Sequence, residues 1–600
     1  MRCVPSKMPI CRYTKGLGRS SVMVEIKINN ITAQVPEGST ILDAAQQVGV
    51  HIPTLCHLDL HDIKMVNKVG TCRVCMVEIE GRHNLMPACA AEVWPGMVVH
   101  TNTNRAIKAR RTNTELLLSN HPQDCLVCER NCNCELQTLA SDLGIRENKY
   151  EGSRLRAEKD CSSYSIVRNA EKCVLCRRCE TMCNDVQSVG VYSTVHRGFE
   201  TVMGTAFDYP MLDTACTFCG QCISVCPTAA LTEIDDSAKV WDAIHDPDKF
   251  VVVQTAPAIR VALGESFGMP VGSQVTGKMV TSLKRMGFDQ VLDTNFGADL
   301  TVLEEASELL HRIEHGGRLP ILTSCCPAWV KFIEHQFPEL LDIPSSCKSP
   351  HEMFGVIAKT YLAQKLNIDP KKMVVVSVMP CVAKKFEAAR DELAGEDRGN
   401  DVDYVISTRE LARMIKEAGI NFTALPDGDF DKFMGESTGA SVIFGTTGGV
   451  IEAVVRTVSA WKDGPPADVN FTQLRGMEGI REAKVTIGGK EISIAIAHGL
   501  GNARELLSAI RDGKADYHAI EIMACPTGCV GGGGQPYHGN NMDILRERSK
   551  ALRREDEGKT VRLAHENKEI QALYDEFLGE KYGKKAHELL HTTFKKRDIL

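Results

Sequence analysis

Twenty-five cysteines stand in this chain of 600 residues, and they are clumped rather than scattered. Cys56, Cys72, Cys75 and Cys89 form one group, and His121, Cys125, Cys128 and Cys134 a second. Cys173, Cys176, Cys179 and Cys183 are followed by Cys216, Cys219, Cys222 and Cys226, and then by Cys325, Cys326, Cys381, Cys525 and Cys529. Thiolates and imidazoles at such spacings are ligands for zinc or for iron-sulfur clusters. Disulfides are the competing use of so many thiols, but disulfide scaffolds are short, and a chain of this length buries a large core without them. The remaining composition, 43% hydrophobic and 24% charged, is that of an ordinary globular protein and excludes disorder and collagen. A net charge of −7 offers no basic field for nucleic acid, and no apolar run is long enough for a membrane span.

The run C-x2-C-x2-C-x3-C occurs twice, the second time followed by Pro227. It resembles the bacterial two-cluster ferredoxins, in which the fourth cysteine of each run serves the other cluster. That resemblance implies one 4Fe-4S cubane on Cys173, Cys176, Cys179 and Cys226, and another on Cys216, Cys219, Cys222 and Cys183. The first group, a close pair with one cysteine upstream and one downstream, is similar to plant-type 2Fe-2S proteins, although the fifteen residues between Cys56 and Cys72 exceed their usual spacing. A structural zinc is the alternative there. One imidazole and three thiolates in the second group close either zinc or a cubane; its neighbours favour a 4Fe-4S cluster, and Cys132 competes with Cys134 as the last ligand.

Four kinds of element must position these groups. From Val24, two alternating apolar runs about an Asn-Asn turn predict a hairpin, and EGSTILDAAQQVGV a capped helix; a strand over Val74 to Ile79 backs the paired cysteines. RAIKARRTNTELLLSN is helical and precedes His121. Beyond about residue 236, apolar strands (FVVVQTA, QVLDT, LPILTS, MVVVSVM, VDYVIS, ISIAIA, YHAIEIMA) alternate with helices, which predicts α/β units around mainly parallel sheets. Cys325 and Cys326, Cys381, and Cys525 with Cys529 sit just past strand ends, where open α/β sheets bind ligands.

At these three motifs, TSCCPAW, MPCVAKKFE and MACPTGCVGGGGQP, the chain resembles the iron-only (FeFe) hydrogenases from about residue 24 to the C-terminus. It is also similar to the catalytic subunit of NAD(P)-linked members. The resemblance implies an α/β and α+β multidomain protein: an extension over 1–22, a β-grasp 2Fe-2S ferredoxin-like domain over 23–100, a His/Cys3 4Fe-4S domain over 101–160, a bacterial two-4Fe-4S ferredoxin-like domain over 161–235, and a two-lobed catalytic domain over 236–600. It implies an H-cluster, a 4Fe-4S cubane joined to a two-iron subsite with CO, cyanide and azadithiolate, besides one 2Fe-2S and three accessory 4Fe-4S clusters. The H-cluster ligands would be Cys326, Cys381, Cys525 and Cys529, with Cys529 bridging. Lys384 would pair with one cyanide, Met379 and Met523 would line the pocket, and the loop at Pro257 would face the other cyanide, with Ala258 where some members have serine. Cys325 would pass protons along a relay of Glu305, Ser345, Glu308 and Arg312. The implied reaction is reversible hydrogen formation, with ferredoxin or a similar carrier, H-cluster maturation proteins, and possible association with a flavin- and NAD(P)-binding subunit as partners.

The spacing of Glu305, Glu308 and Arg312 places them on one helix face, which taken alone is a solvated face, opposite Leu303, Ala306, Leu310 and Ile313. The VGGGGQ run after Cys529 lacks a phosphate-loop lysine and predicts close backbone approach; TTGGV near Gly448 predicts a helix entry. Cys3, Cys11, Cys161 and Cys347 have no partner at ligand spacing. Residues 1–22, basic and serine-rich, read either as an organellar transit peptide, which would place the protein in a hydrogenosome or similar organelle, or as an upstream extension or start-site artefact before Met23 of a cytoplasmic protein.

Overall fold

The computed structural model describes residues 22–63, 67–464 and 468–598. The basic N-terminal stretch, with Cys3 and Cys11, lies outside the described residues. Val24, Ile26 and Ile28 alternate with exposed neighbours along Met23–Ile28, which pairs antiparallel with Ile31–Pro36. Asn29 and Asn30 join them at φ 49° and 69°, the left-handed pair that a two-residue hairpin turn requires and that asparagine tolerates. Val98–His100 runs parallel to the first strand, and Met76–Ile79 and Met86–Pro87 complete a five-stranded sheet. The helix Ile41–Gln47 opens with a capping box of Thr40 and Asp43. A mixed sheet with a helix across it is the β-grasp form.

Two four-stranded sheets build the large C-terminal part. One, in the order Gln290–Asp293, Phe250–Thr255, Met373–Met379, Tyr404–Ser407, is parallel throughout. Its central strands are valine-rich and buried on both faces, as parallel strands covered by helices must be. The other runs Ile321–Leu322, Ala519–Met523, Lys490–His498, Ile480–Ile487; the first three are parallel and the last is an antiparallel edge. The edge strand escapes the sequence reading because Glu482, Lys484 and Thr486 point to solvent, the charged face that keeps an edge from pairing further.

The ferredoxin-like part is fastened to both sheets. Ser165 donates to the Val382 carbonyl at 2.7 Å, Gln187 to that of Ala524 at 2.9 Å, and Arg409 forks onto Glu233 at 2.7 and 3.1 Å. The glycines after Cys529 serve this closure: a Cβ on Gly533 would lie 2.6 Å from the Gly220 Cα, and one on Gly532 would lie 2.2 Å from the Pro380 oxygen. Close approach is to backbone on either side of the cysteine loops, not to a phosphate. At TTGGV, Gly448 has φ 83° and heads the helix Gly449–Asp463, whose first amides are capped by Glu521 at 2.5 and 3.0 Å.

Gly532→Ala should therefore push the Cys381 and Cys529 loops apart, costing about 1–3 kcal/mol as overpacking does and lowering the thermal midpoint together with iron content. Gly152→Ala, whose Cβ meets nothing within 4 Å, should leave both unchanged.

Candidate active site

Three strand ends carry thiols to one place. Ile321–Leu322 leads to Cys325 and Cys326, Met373–Met379 to Cys381, and Ala519–Met523 to Cys525 and Cys529. All five cysteines line one cavity with Pro257, Ala258, Met379, Met523, Lys384 and Phe444. Cys326 heads the helix Pro327–Gln336, and the Ala524 amide donates to its Sγ at 3.5 Å. None of the described cysteines is in a disulfide. Burial pushes the thiols of Cys326, Cys381, Cys525 and Cys529 up, that of Cys529 to about 12. Four buried thiols facing an apolar space are poorly placed to ionise unless a metal takes the charge, so the donor set fits an iron-sulfur cubane.

Lys384 is the cation of this wall. Its Nζ donates to the Cys325 carbonyl at 3.1 Å and to Glu387 at 2.6 Å. Burial works against its charge, but Glu387, with Cys325 and Cys381 adding to it, more than offsets that and its pKa is raised. Burial also pushes the Glu387 carboxyl up, yet Lys384 and His351 together hold it at about 2. His351 lies 2.6 Å from Glu387 and 3.3 Å from Ser377, and it lines the cavity itself. Glu387, His351 and Phe444 are absent from the sequence reading; Glu387, three residues past Lys384 on the helix Ala383–Glu387, was the one within local reach.

The helix Thr294–His315 supplies the acids behind Cys325. Its charged face is buried like its apolar one, contrary to the solvated face that its spacing alone predicts, because the second sheet and the C-terminal segment cover it. Glu308 accepts from Ser345 at 2.7 Å and from Arg312 at 2.5 Å; Arg312 also donates to the Ile343 and Pro344 carbonyls. Both carboxyl oxygens of Glu305 are buried without a hydrogen-bond partner. Burial first, and then the charge of Glu308, pushes its pKa up to about 8, so Glu305 carries a proton at neutral pH. Burial also raises the Cys325 thiol, with Glu305 adding to the rise. Glu304, Cys347 and His591 adjoin this group, and nothing local in the sequence signals that.

The other thiol groups also converge. Cys56, Cys72, Cys75 and Cys89 are buried, with Cys75 and Cys89 sulfurs 3.3 Å apart. Cys173, Cys176, Cys179 and Cys226 line one cavity, the set with the exchanged fourth cysteine. Cys183, Cys216, Cys219 and Cys222 lie within electrostatic reach of one another. His121 ends the helix Asn104–Asn120 with Nδ1 buried and unpartnered, and burial and Lys172 lower its pKa to about 4, leaving the neutral imidazole a metal needs. Lys172 donates to Cys128 Sγ at 3.3 Å. Cys125 and Cys132 are exposed, whereas Cys134 is half-buried at the head of Glu135–Asp142. Two apolar clusters run through these cysteines: one joins Cys56, Cys72, Cys134 and Cys176, and the next joins Cys179, Cys216, Cys222, Cys226, Cys326 and Cys381.

Residues 249–533 match the family described as iron only hydrogenase large subunit, C-terminal domain, and residues 542–597 the iron hydrogenase small subunit. Residues 21–104 match a 2Fe-2S iron-sulfur cluster binding domain, 110–149 the NADH-ubiquinone oxidoreductase-G iron-sulfur binding region, and 213–232 a 4Fe-4S binding domain. The NADP-reducing hydrogenase subunit HndD of Solidesulfovibrio fructosivorans is 54% identical over 96% of this chain and 100% of its own. Iron hydrogenase 1 of Clostridium pasteurianum is 38% identical over the same shares, 96% and 100%. A solved variant of FeFe-hydrogenase HydA1 from Chlamydomonas reinhardtii has a TM-score of 0.55 at 41% identity, covering 60% of this chain and 99% of that one.

The raised pKa gives a direct check on Glu305. A carboxylic-acid infrared band should persist through neutral pH, fall to half near pH 8, and be missing from Glu305→Gln. A band that titrates near the ordinary carboxylate range of about 4 would contradict the burial account.

Proposed function

The chain belongs to the iron-only hydrogenase family, and from that premise we propose that it catalyses 2 H+ + 2 e− ⇌ H2 at an H-cluster held by Cys326, Cys381, Cys525 and Cys529. It is an oxidoreductase acting on hydrogen, with 2Fe-2S and 4Fe-4S binding domains. The observation that carries the reading is the single cavity where those four thiols meet Cys325 and Lys384. When bound, the cluster and its two-iron subsite with CO, cyanide and azadithiolate would supply the redox chemistry, held by Cys326, Cys381, Cys525 and Cys529. No helix among the described residues is long and apolar enough to cross a membrane.

The chain's own residues hold ligands and move protons. Lys384, oriented by Glu387 and the Cys325 carbonyl, presents a charged donor for a cyanide, while Met379, Met523 and the Pro257–Ala258 loop wall the cavity. Arg312, itself partly exposed, fixes the buried Glu308, Ser345 joins it by its hydroxyl, Glu305 holds a proton, and the Cys325 thiol delivers it to the cavity. A thiol suits that last place because it both donates and accepts. Electrons would travel from one 2Fe-2S and three accessory 4Fe-4S clusters along the two apolar clusters that contain their ligands. Ferredoxin is the donor this arrangement suits, and maturation proteins would install the two-iron subsite. A second reading, catalytic subunit of an NADP-reducing or bifurcating complex, is favoured by the full-length 54% identity to such a subunit.

Anaerobically matured protein should evolve hydrogen from reduced methyl viologen. Cys325→Ala should lower turnover by at least about 100-fold, the scale of a lost proton-transfer group, with the electron paramagnetic resonance of the cubanes unchanged; undiminished turnover would defeat the relay. Copurification with a flavin subunit, and loss of NADP reduction without it, separates the second reading from the first.

A further inference from the structure

Behind the proton relay, two distant segments meet. Cys347 and His591 face each other in an antiparallel bridge, flanked by Lys348 N–H to Leu590 C=O at 2.8 Å and Thr592 N–H to Ser346 C=O at 2.7 Å. Such pairing places the two side chains side by side. A Glu308 oxygen, the Cys347 Sγ and a His591 ring nitrogen all lie within 4.8 Å of one another, and all three residues are buried. We propose that Glu308, Cys347 and His591 form a binding site for a zinc-class divalent cation that closes the proton relay. The blocking part rests on the relay through Glu308 proposed above.

The donor set is one that zinc takes: one carboxylate, one thiolate and one imidazole, leaving a fourth position for water. Zinc bonds of about 2.0–2.3 Å bring tetrahedral ligands to roughly 3.3–3.8 Å apart, so side-chain shifts of about an ångström close the present spacing. His591 has on one ring nitrogen the carboxylate partner that metal-bound histidines commonly keep. Its Nε2 lies 3.0 Å from Glu304, leaving Nδ1 towards Ser346 Oγ at 2.8 Å. Glu304 is in turn held by the Tyr574 hydroxyl and the Tyr582 amide. Glu308 has Ser345 and Arg312 in the same supporting role.

Cys347 has little else to do. Its thiol makes a long 3.8 Å contact to Glu308, and burial, with Glu308, Glu305 and Glu304 beside it, keeps it protonated. Binding reads Cys–SH + Zn2+ → Cys–S−–Zn2+ + H+, with the proton leaving to solvent. The charges suit the exchange: Glu308 faces Arg312 and Glu304 faces His591, so two carboxylates against one guanidinium leave one negative charge when Glu305 is protonated, and a dication with a thiolate adds one positive charge. With its carboxylate on zinc, Glu308 no longer exchanges a proton with Ser345.

The test adds zinc chloride to matured holoenzyme. Anomalous diffraction at the zinc edge should place an ion between Glu308, Cys347 and His591. Hydrogen evolution should fall at least tenfold and return with a chelator, while the cluster resonances stay unchanged. Cys347→Ala should turn over normally without zinc and need at least about ten times more zinc for the same inhibition, since even outer partners of a metal ligand matter by that much. His591→Gln repeats the test if Cys347→Ala loses its clusters. No zinc at these ligands, or equal inhibition of both variants, overturns the site. Zinc bound there with turnover undiminished leaves the site standing and removes Glu308 from the proton path.

Discussion

Buried thiols that must ionise are the constraint from which this architecture follows. A thiolate in an apolar interior is costly unless a cation compensates it, and here burial pushes the cysteines of the central cavity well away from ionisation. Metal binding removes that cost and makes the ligand sets part of the fold, because the thiols come from segments that only the completed tertiary structure brings together. The strand ends at Cys326, Cys381 and Cys525 belong to two different sheets, so the central site also joins the two halves of the catalytic part. Close packing of Gly220 on Gly533 brings the ferredoxin-like part against the same loops, while Gly532 packs on Pro380 between the Cys381 and Cys529 loops.

The proposed function gives electrons and protons separate territory around that centre. The N-terminal cysteine groups lie in apolar clusters, the second of which includes Cys326 and Cys381. The proposed relay lies on the helix Thr294–His315, where Glu304, Glu305 and Glu308 are packed under Arg312 and the C-terminal segment. The same burial that raises Glu305 keeps it protonated rather than a fixed charge at neutral pH, as the proposed relay requires. Lys384 stands between the two, bonded to the Cys325 carbonyl, and its charge survives burial because Glu387 and His351 share the network behind it.

Much of this was legible locally. The Asn29-Asn30 turn, the Thr40 cap and the valine-rich strands are set by short-range preferences, and the cysteine spacings point to the iron-sulfur binding domains that the family matches cover. The paired ferredoxin runs even carry the exchange of Cys226 and Cys183, which the cavity around Cys173, Cys176 and Cys179 accommodates. What could not be read was set by distant chain. The face of Glu305 and Glu308 has the spacing of a solvated face, and only the sheet and C-terminal segment over it make it an interior. Cys347 looks incidental because its neighbour His591 is 244 residues away, joined by one backbone bridge. The edge strand Ile480–Ile487 was hidden by the charges that protect it.

The infrared spectrum of the matured holoprotein tests the central claim most directly. Stretching bands of bound carbon monoxide and cyanide should appear in the natural protein, shift when Lys384→Met removes the donor beside the cavity, and vanish in Cys529→Ala while the ferredoxin-type clusters remain. A matured, iron-replete protein without those bands, or bands indifferent to the loss of Cys529, would contradict an H-cluster at the meeting point of the three strand ends.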